Sequence, residues 1–221
     1  MNDKHIIFDL DGTLIDSKSE IISTYKKVFL DIIPPTPVDF SALNYSATLT
    51  SILQGVYVGD TNLIQEAKLR FADIYDHSSY EDTLLYPFVH ELLAKLKEKD
   101  IICHIATNKR LVPTLNILKQ KKMSDFFSSI KASDMIQGII TSKKEMVSGI
   151  CKENKINVGM MIGDSIQDIE SGVNSGLMTV AVGYGYETTE NLLKVKSDYL
   201  IYHLSELDTI LEKNGYYHKH N

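Results

Sequence analysis

The sequence predicts an α/β fold: a three-layer core around a central parallel sheet, with an all-helical domain inserted into it. Two patterns and one motif carry this expectation. From Pro87 onward, apolar runs of strand length alternate with amphipathic helical segments, the pattern of a parallel sheet covered on both faces. Between the first apolar run, His5-Ile6-Ile7-Phe8, and that alternation lies a long stretch of helical periodicity with no convincing strand. Directly after the first run comes Asp9-Leu10-Asp11-Gly12-Thr13. This is a pair of acids and a turn-permitting glycine at the carboxyl end of a strand, where open α/β sheets place their ligands.

Taken in order, the first strand is His5–Phe8. Ser17-Lys18-Ser19-Glu20 has capping-box spacing and opens a helix lined by Ile21, Ile22, Tyr25, Val28 and Phe29. Pro34-Pro35-Thr36-Pro37 ends it, because proline cannot continue a helix. The pattern from Phe40 to Tyr80 stays helical, with Leu63, Ala67, Leu69, Phe71, Ile74 and Tyr75 as a candidate buried face. After Pro87, Val89, Leu92, Leu93 and Leu96 make a helix to Lys99. Then follow a strand at Ile101–Ala106, a helix at Leu111–Lys121 with Pro113 in its first turn, and a weak strand at Ser129–Ala132. A helix at Lys144–Asn154, a strand at Gly159–Ile162 and a helix at Ile166–Ser175 closed by Gly176 come next. A strand at Met178–Val182 and a last helix at Leu204–Lys213 complete a Rossmann-like core. The expected division is a core of residues 1–16 and 84–221 and a helical cap of residues 17–83. The tail Tyr216–Asn221, with His218 and His220, is expected to fray into solvent.

Bulk properties exclude some functions. In 221 residues, 43% are hydrophobic and 24% charged, which is ordinary for a globular chain. A net charge of −6 argues against a nucleic-acid or anionic-membrane binder, which needs a basic face. It does not exclude an anionic substrate, since a metal and a few local cations dominate a pocket. Cys103 and Cys151 make neither a disulfide framework nor a zinc site. Met1-Asn2-Asp3-Lys4 lacks the pattern of a signal peptide, and no apolar run approaches the ~20 residues that span a bilayer. A cytoplasmic protein, with a monomer preferred, is the expectation.

The chemistry concentrates where strands end. Asp9 and Asp11, two apart, point the same way in β geometry, and like charges that close require a cation or a shared proton. Ala106-Thr107-Asn108-Lys109 offers a hydroxyl and backbone N–H groups suited to phosphate oxygens. Lys143 and Lys144 precede a helix, and an ammonium there could neutralise a transferring phosphoryl group. In Gly163-Asp164-Ser165-Ile166-Gln167-Asp168, two acids flank a turn into a helix and suit a hard, oxygen-seeking cation.

In this order the motifs resemble the haloacid dehalogenase superfamily, and Phe8-Asp9-Leu10-Asp11-Gly12-Thr13-Leu14-Ile15-Asp16-Ser17 is similar to its phosphoglycolate phosphatase-like branch. So are Tyr86-Pro87-Phe88-Val89 and Gly183-Tyr184-Gly185-Tyr186, while Lys143-Lys144-Glu145-Met146-Val147 resembles the superfamily's Lys-x-Glu-Val-Ile pattern. The resemblance implies a phosphatase for a small phosphorylated metabolite, with Asp9 as the nucleophile that forms an aspartyl phosphate and Asp11 as the acid and then base. It implies Mg²⁺ held by Asp9, the backbone carbonyl of Asp11, and Asp164. Thr107, Asn108 and Lys143, preferred to Lys144, would hold phosphate oxygens, and Asp168 would orient Lys143 or a metal-bound water. Tyr45, Ser46 and Thr48 fall where similar caps present a specificity loop. Asn44 and Phe88 stand where relatives often have glycine.

Four alternatives weigh less. A dehalogenase has no need of Asp11, and a phosphonate hydrolase of this family would replace it and add a cap lysine. A sugar phosphomutase shares the core residues, but its usual cap histidine corresponds to Ile21, and no histidine occurs between His5 and His77. A metabolite-binding protein without activity would not need the full set of acids.

Overall fold

The computed structural model of the chain describes residues 4–45, 47–135 and 140–217. Two compact units divide it: Met1–Asp16 with Leu85–Asn221, and Ser17–Leu84.

The first unit begins with β1 (His5–Phe8), buried throughout, followed by the two-residue β2 (Ile15–Asp16). The second unit then takes over with α1 (Lys18–Asp31), α2 (Leu49–Val56) and α3 (Thr61–Asp76). Its interior is aromatic. Tyr25 lies against Phe29 and Phe71 with ring centroids 5.5 and 4.8 Å apart, and the Tyr57 hydroxyl donates to the Ile32 carbonyl at 2.5 Å. Residues 40–80 are not one helical run. Gly59, at φ +80°, breaks it, and the Asp60 side chain caps α3 through the N–H groups of Asn62 and Leu63. The buried face of α3 is Ile64, Ala67, Phe71 and Tyr75, whereas Leu69 is exposed. The expected capping box at Ser17 does not form: Ser17 makes no side-chain cap bond, and the buried Glu20 instead accepts from the Ser78 hydroxyl and the Asp82 N–H.

The chain returns through β3 (Leu84–Leu85), which pairs with β2 in a two-stranded sheet, and α4 (Val89–Glu98). Phe88, at the N-cap of α4, has φ +72°, a left-handed conformation that glycine adopts without strain. Then come β4 (Ile102–Thr107), α5 (Leu111–Gln120), β5 (Phe127–Ala132) and α6 (Lys143–Glu153). β6 (Gly159–Gly163), α7 (Ile166–Asn174), β7 (Met178–Val182), α8 (Thr189–Leu192), β8 (Tyr199–Ile201) and α9 (Leu207–Lys213) complete it. β2, β3, α8 and β8 were not expected; each is too short to show a period. Tyr216, expected to fray, is buried, and Lys4 Nζ donates to the carbonyls of Gly215 and Tyr216. His218 and His220 lie outside the described residues. No helix among the described residues is long and apolar enough to cross a membrane.

The six-stranded sheet runs β5-β4-β1-β6-β7-β8, parallel throughout. Counting its strands in chain order gives 3-2-1-4-5-6, the doubly wound order, whose direction reverses between β1 and β6. On one face, Met146, Val147 and Ile150 of α6 pack with Ile7, Ala106 and Met161 from three neighbouring strands. That packing aims the start of α6 at the reversal point.

Candidate active site

Strand register assembles the site. Phe8 is level with Ile105 on one side and Ile162 on the other, so Asp9, Ala106-Thr107 and Gly163-Asp164 emerge together at one edge of the sheet. The Asp9 N–H donates to the Ile162 carbonyl at 2.9 Å. The chain then folds back, and the Leu10 carbonyl accepts from the N–H groups of Leu14 and Ile15 at 2.9 and 3.0 Å. Gly12 takes φ +79° in this turn, and a Cβ there would fall 2.1 Å from Asp164 Oδ2. Only glycine lets the turn come so close to that carboxylate. Gly185 also meets Asp164, where an added Cβ would be 2.2 Å from the Asp164 Cβ. The next residue, Tyr186, donates its N–H to Asp164 Oδ2 at 2.6 Å, and the Thr13 hydroxyl is 3.5 Å from Oδ1.

Lys143 is the first residue of α6, after the N-cap Ser142, which forms a capping box with Glu145. Its Nζ donates to Asp9 Oδ1 at 2.6 Å and to the Ala106 carbonyl at 2.8 Å, and pairs with Asp168 Oδ1 at 2.8 Å. Two of the three ammonium donors thus make hydrogen bonds, and Asp168 is a charge partner at ion-pair distance. Asp168 is fully buried. Its Oδ2 accepts from the N–H and hydroxyl of Ser165 in the capping box of α7, so it is a strut beneath Lys143. Lys144 is exposed.

The charges do not balance. Three buried carboxylates face one ammonium, and the oxygens of Asp9, Asp164 and Asp168 lie within 4.8 Å of one another. Burial pushes the Asp9 carboxyl up to about 7, with Asp168 and Asp11 adding to the rise and Lys143 opposing it. Burial also lifts Asp164 well above the carboxylate range, reinforced by Asp9 and Asp168. Burial disfavours the Lys143 charge, but Asp168 and Asp9 outweigh it and raise its pKa. A hard divalent cation among oxygen donors is the natural relief for this excess. Asp9 and Asp164 suit it as ligands; Asp168 Oδ2 is committed to Ser165, and its Oδ1 faces Lys143.

Asp11 stands apart from that trio. Its Oδ1 pairs with Lys109 Nζ at 3.0 Å. Thr107, buried at the end of β4, accepts the Lys109 N–H on its hydroxyl at 3.1 Å, and the half-buried Asn108 donates to the Gln167 side chain at 3.1 Å. Direct contacts thus join Asp9, Lys143 and Asp168, and Lys109 links Asp11 to the Thr107 turn. In the second unit, the Tyr45 hydroxyl donates to the Phe40 carbonyl at 2.7 Å, Thr48 caps α2, and Ser46 lies outside the described residues.

A sequence profile of haloacid dehalogenase-like hydrolases matches residues 6–182. The chain belongs to this family. Among curated relatives of these hydrolases, it is 29% identical to a phosphoglycolate phosphatase from Psychrobacter arcticus over 87% of this chain and 88% of that one. It is 26% identical to the pyrophosphatase PpaX of Listeria monocytogenes over 93% and 95%. Among solved structures, a predicted phosphatase from Clostridium acetobutylicum superimposes with a TM-score of 0.84 at 25% identity, over 96% of this chain and all (100%) of the other. A haloacid dehalogenase-like hydrolase from Streptococcus pneumoniae gives 0.84 at 21% identity, over 95% and 99%. The α/β fold is that of the family.

Sequence reasoning gave no role to Lys109, Gly185 or Tyr186. Lys109 follows Thr107-Asn108 directly, and its signal was that adjacency. Lys143 carried a second signal: with Met146, Val147 and Ile150 it forms an i, i+3, i+4, i+7 face, the buried face of α6.

Proposed function

We propose that this hydrolase is a Mg²⁺-dependent phosphatase that cleaves a small phosphomonoester through an aspartyl phosphate on Asp9. The observation that carries the reading is the buried Asp9 carboxylate held by Lys143 at 2.6 Å beside Asp164, at the reversal point of the sheet. The phosphoglycolate phosphatase and pyrophosphatase relatives support a small phosphorylated substrate.

In this reading an Asp9 oxygen attacks phosphorus, and the bond from phosphorus to the leaving oxygen breaks while Asp11 gives that oxygen a proton. In the second half, Asp11 takes a proton from water as the water oxygen attacks phosphorus, and the Asp9 carboxylate is released. Thr107, the Asn108 N–H and Lys143 hold phosphate oxygens, already oriented before charge redistributes. Asp168 keeps Lys143 aimed. Asp9, Asp164 and the backbone carbonyl of Asp11 would hold Mg²⁺, whose charge offsets the repulsion between carboxylate and phosphate. Residues 17–83 would act as the cap that selects the substrate.

The test is p-nitrophenyl phosphate with Mg²⁺. Turnover is expected, with loss on adding EDTA and a fall of roughly three orders of magnitude or more in Asp9→Asn, which lacks the nucleophile. Turnover in Asp9→Asn equal to the parent would overturn the assignment of the nucleophile. With a hexose 1-phosphate, release of inorganic phosphate is expected; conversion to the 6-phosphate without release would make the chain a mutase.

A further inference from the structure

We propose that Lys109 is a positioning residue for this reaction, holding the Asp11 carboxylate in the orientation from which a proton passes to the leaving oxygen. This rests on the phosphatase reading above, in which Asp11 is the acid and then the base.

The geometry divides the two ammonium groups between the two acids. Lys143 belongs to Asp9, and Lys109 Nζ reaches Asp11 Oδ1 at 3.0 Å. The Lys109 side chain is 6% exposed and that of Asp11 is 19% exposed, so the lysine is the more buried member of the pair. The lysine backbone is fastened on both sides. Its N–H donates to the Thr107 hydroxyl at 3.1 Å, and its carbonyl accepts from the Ser133 N–H at 3.3 Å. Asp11, in contrast, lies beyond the last residue of β1, in the turn closed by Leu10 and Ile15. Proton transfer requires the acid within hydrogen-bond reach of the leaving oxygen, and a group borne on a turn is held less well than one borne on a strand. A packed lysine, anchored to the end of β4, restrains the acid through a 3.0 Å ion pair. As the bond to the leaving oxygen breaks, only the Asp11 proton moves.

A residue that acts through the acid betrays itself by leaving group. p-Nitrophenolate departs without a proton, whereas an alkoxide does not. Lys109→Met should lower kcat/KM for alkyl phosphates by about 10- to 100-fold, part of the roughly 100- to 10,000-fold that a positioned acid contributes. On p-nitrophenyl phosphate the loss should stay under about threefold, since that leaving group draws little on the acid. Lys109→Arg keeps the charge and should shift the alkyl-to-aryl ratio in the same direction by less, which keeps the test decisive if the methionine variant does not fold. In an Asp11→Asn background, Lys109→Met should cause no further loss, because groups acting as a unit are not additive. Equal losses on both substrate types, or a further loss in the Asp11→Asn background, would overturn the proposal while leaving the phosphatase intact. A parent enzyme inactive on the whole panel, or an active Asp9→Asn, would instead remove the phosphatase reading, and this proposal with it.

Discussion

Two cations in this chain each sit between two carboxylates at nearly the same distances. Lys143 lies 2.6 Å from Asp9 and 2.8 Å from Asp168, and Arg70 lies 2.7 Å from Asp31 and 2.8 Å from Asp73. The side chains of the first trio are 3, 9 and 0% exposed, and those of the second are 44, 48 and 59% exposed. Contact geometry is therefore common to both, and solvent is what differs. Around Arg70, water screens each charge, and the three residues line an open recess of 430 Å³ on the second unit. Around Lys143, burial removes that screening. Removing one member there leaves the others uncompensated.

The largest effect should come from Lys143→Met. It leaves Asp9 and Asp168 buried without their ammonium, and breaking a buried ionic group of this kind costs about 3–5 kcal/mol. Denaturant unfolding should show that loss, and phosphatase activity should fall with it, since the substrate loses a phosphate ligand. Proton uptake by Asp9, already pushed up to about 7, would soften the stability loss and not the activity loss. A Lys143→Met enzyme with unchanged unfolding free energy would break the comparison at its stronger end.

What was legible in the sequence follows the same division. The strands β1, β4, β6 and β7 were readable because burial on both faces makes them apolar runs, and the acids at their ends stood out against that background. Lys109 was not readable. A lysine in the turn after a strand looks the same whether it is solvated or packed behind an acid, and only the folded chain separates the cases. Local rules also lost to long-range partners. Ser17 and Glu20 have the spacing of a capping box, yet Glu20 binds Ser78 and the Asp82 N–H across the second unit. The reverse holds for Ser165 and Asp168, whose box forms and simultaneously aims an oxygen at Lys143. Phe88 illustrates a limit of a different kind: its φ of +72° is visible only in the structure, although glycine in relatives pointed to it.

A third buried group sharpens the comparison, because it has burial without carboxylates. His104 in β4 is fully buried, with His5 Nδ1 3.0 Å from its Nε2 and the Ser129 hydroxyl 2.7 Å from its Nδ1. Burial, and next to it the charge of His5, lower its pKa from 6.5 to about 4. Lys143, with acids beside it, is held charged; His104, between an imidazole and a hydroxyl, is held neutral. The sign of the pH effect follows. The unfolded chain binds the His104 proton more readily than the folded one, so the full contribution to stability is present above about pH 6.5 and is lost as pH falls toward 4. His104→Gln has no such proton to take up. The Tm of the parent relative to His104→Gln should therefore decline between pH 7 and pH 4.5. A constant difference over that range would show that this imidazole does not titrate with folding.

The smallest effect is expected at Arg70, and it tests the weaker end of the comparison. Two ion pairs at 2.7 and 2.8 Å, one of them to Asp31 on a different helix, would suggest a cross-link worth having. Their exposure argues otherwise, because water solvates the guanidinium and both carboxylates when the contacts open, and holding long side chains in one geometry has an entropic cost. Arg70→Met should leave Tm unchanged within error at physiological salt, and raising the salt should not alter the parent's Tm through this site. Should Arg70→Met instead destabilise the chain as Lys143→Met does, contact distance rather than burial would govern both trios, and the contrast between them would carry no information about the site.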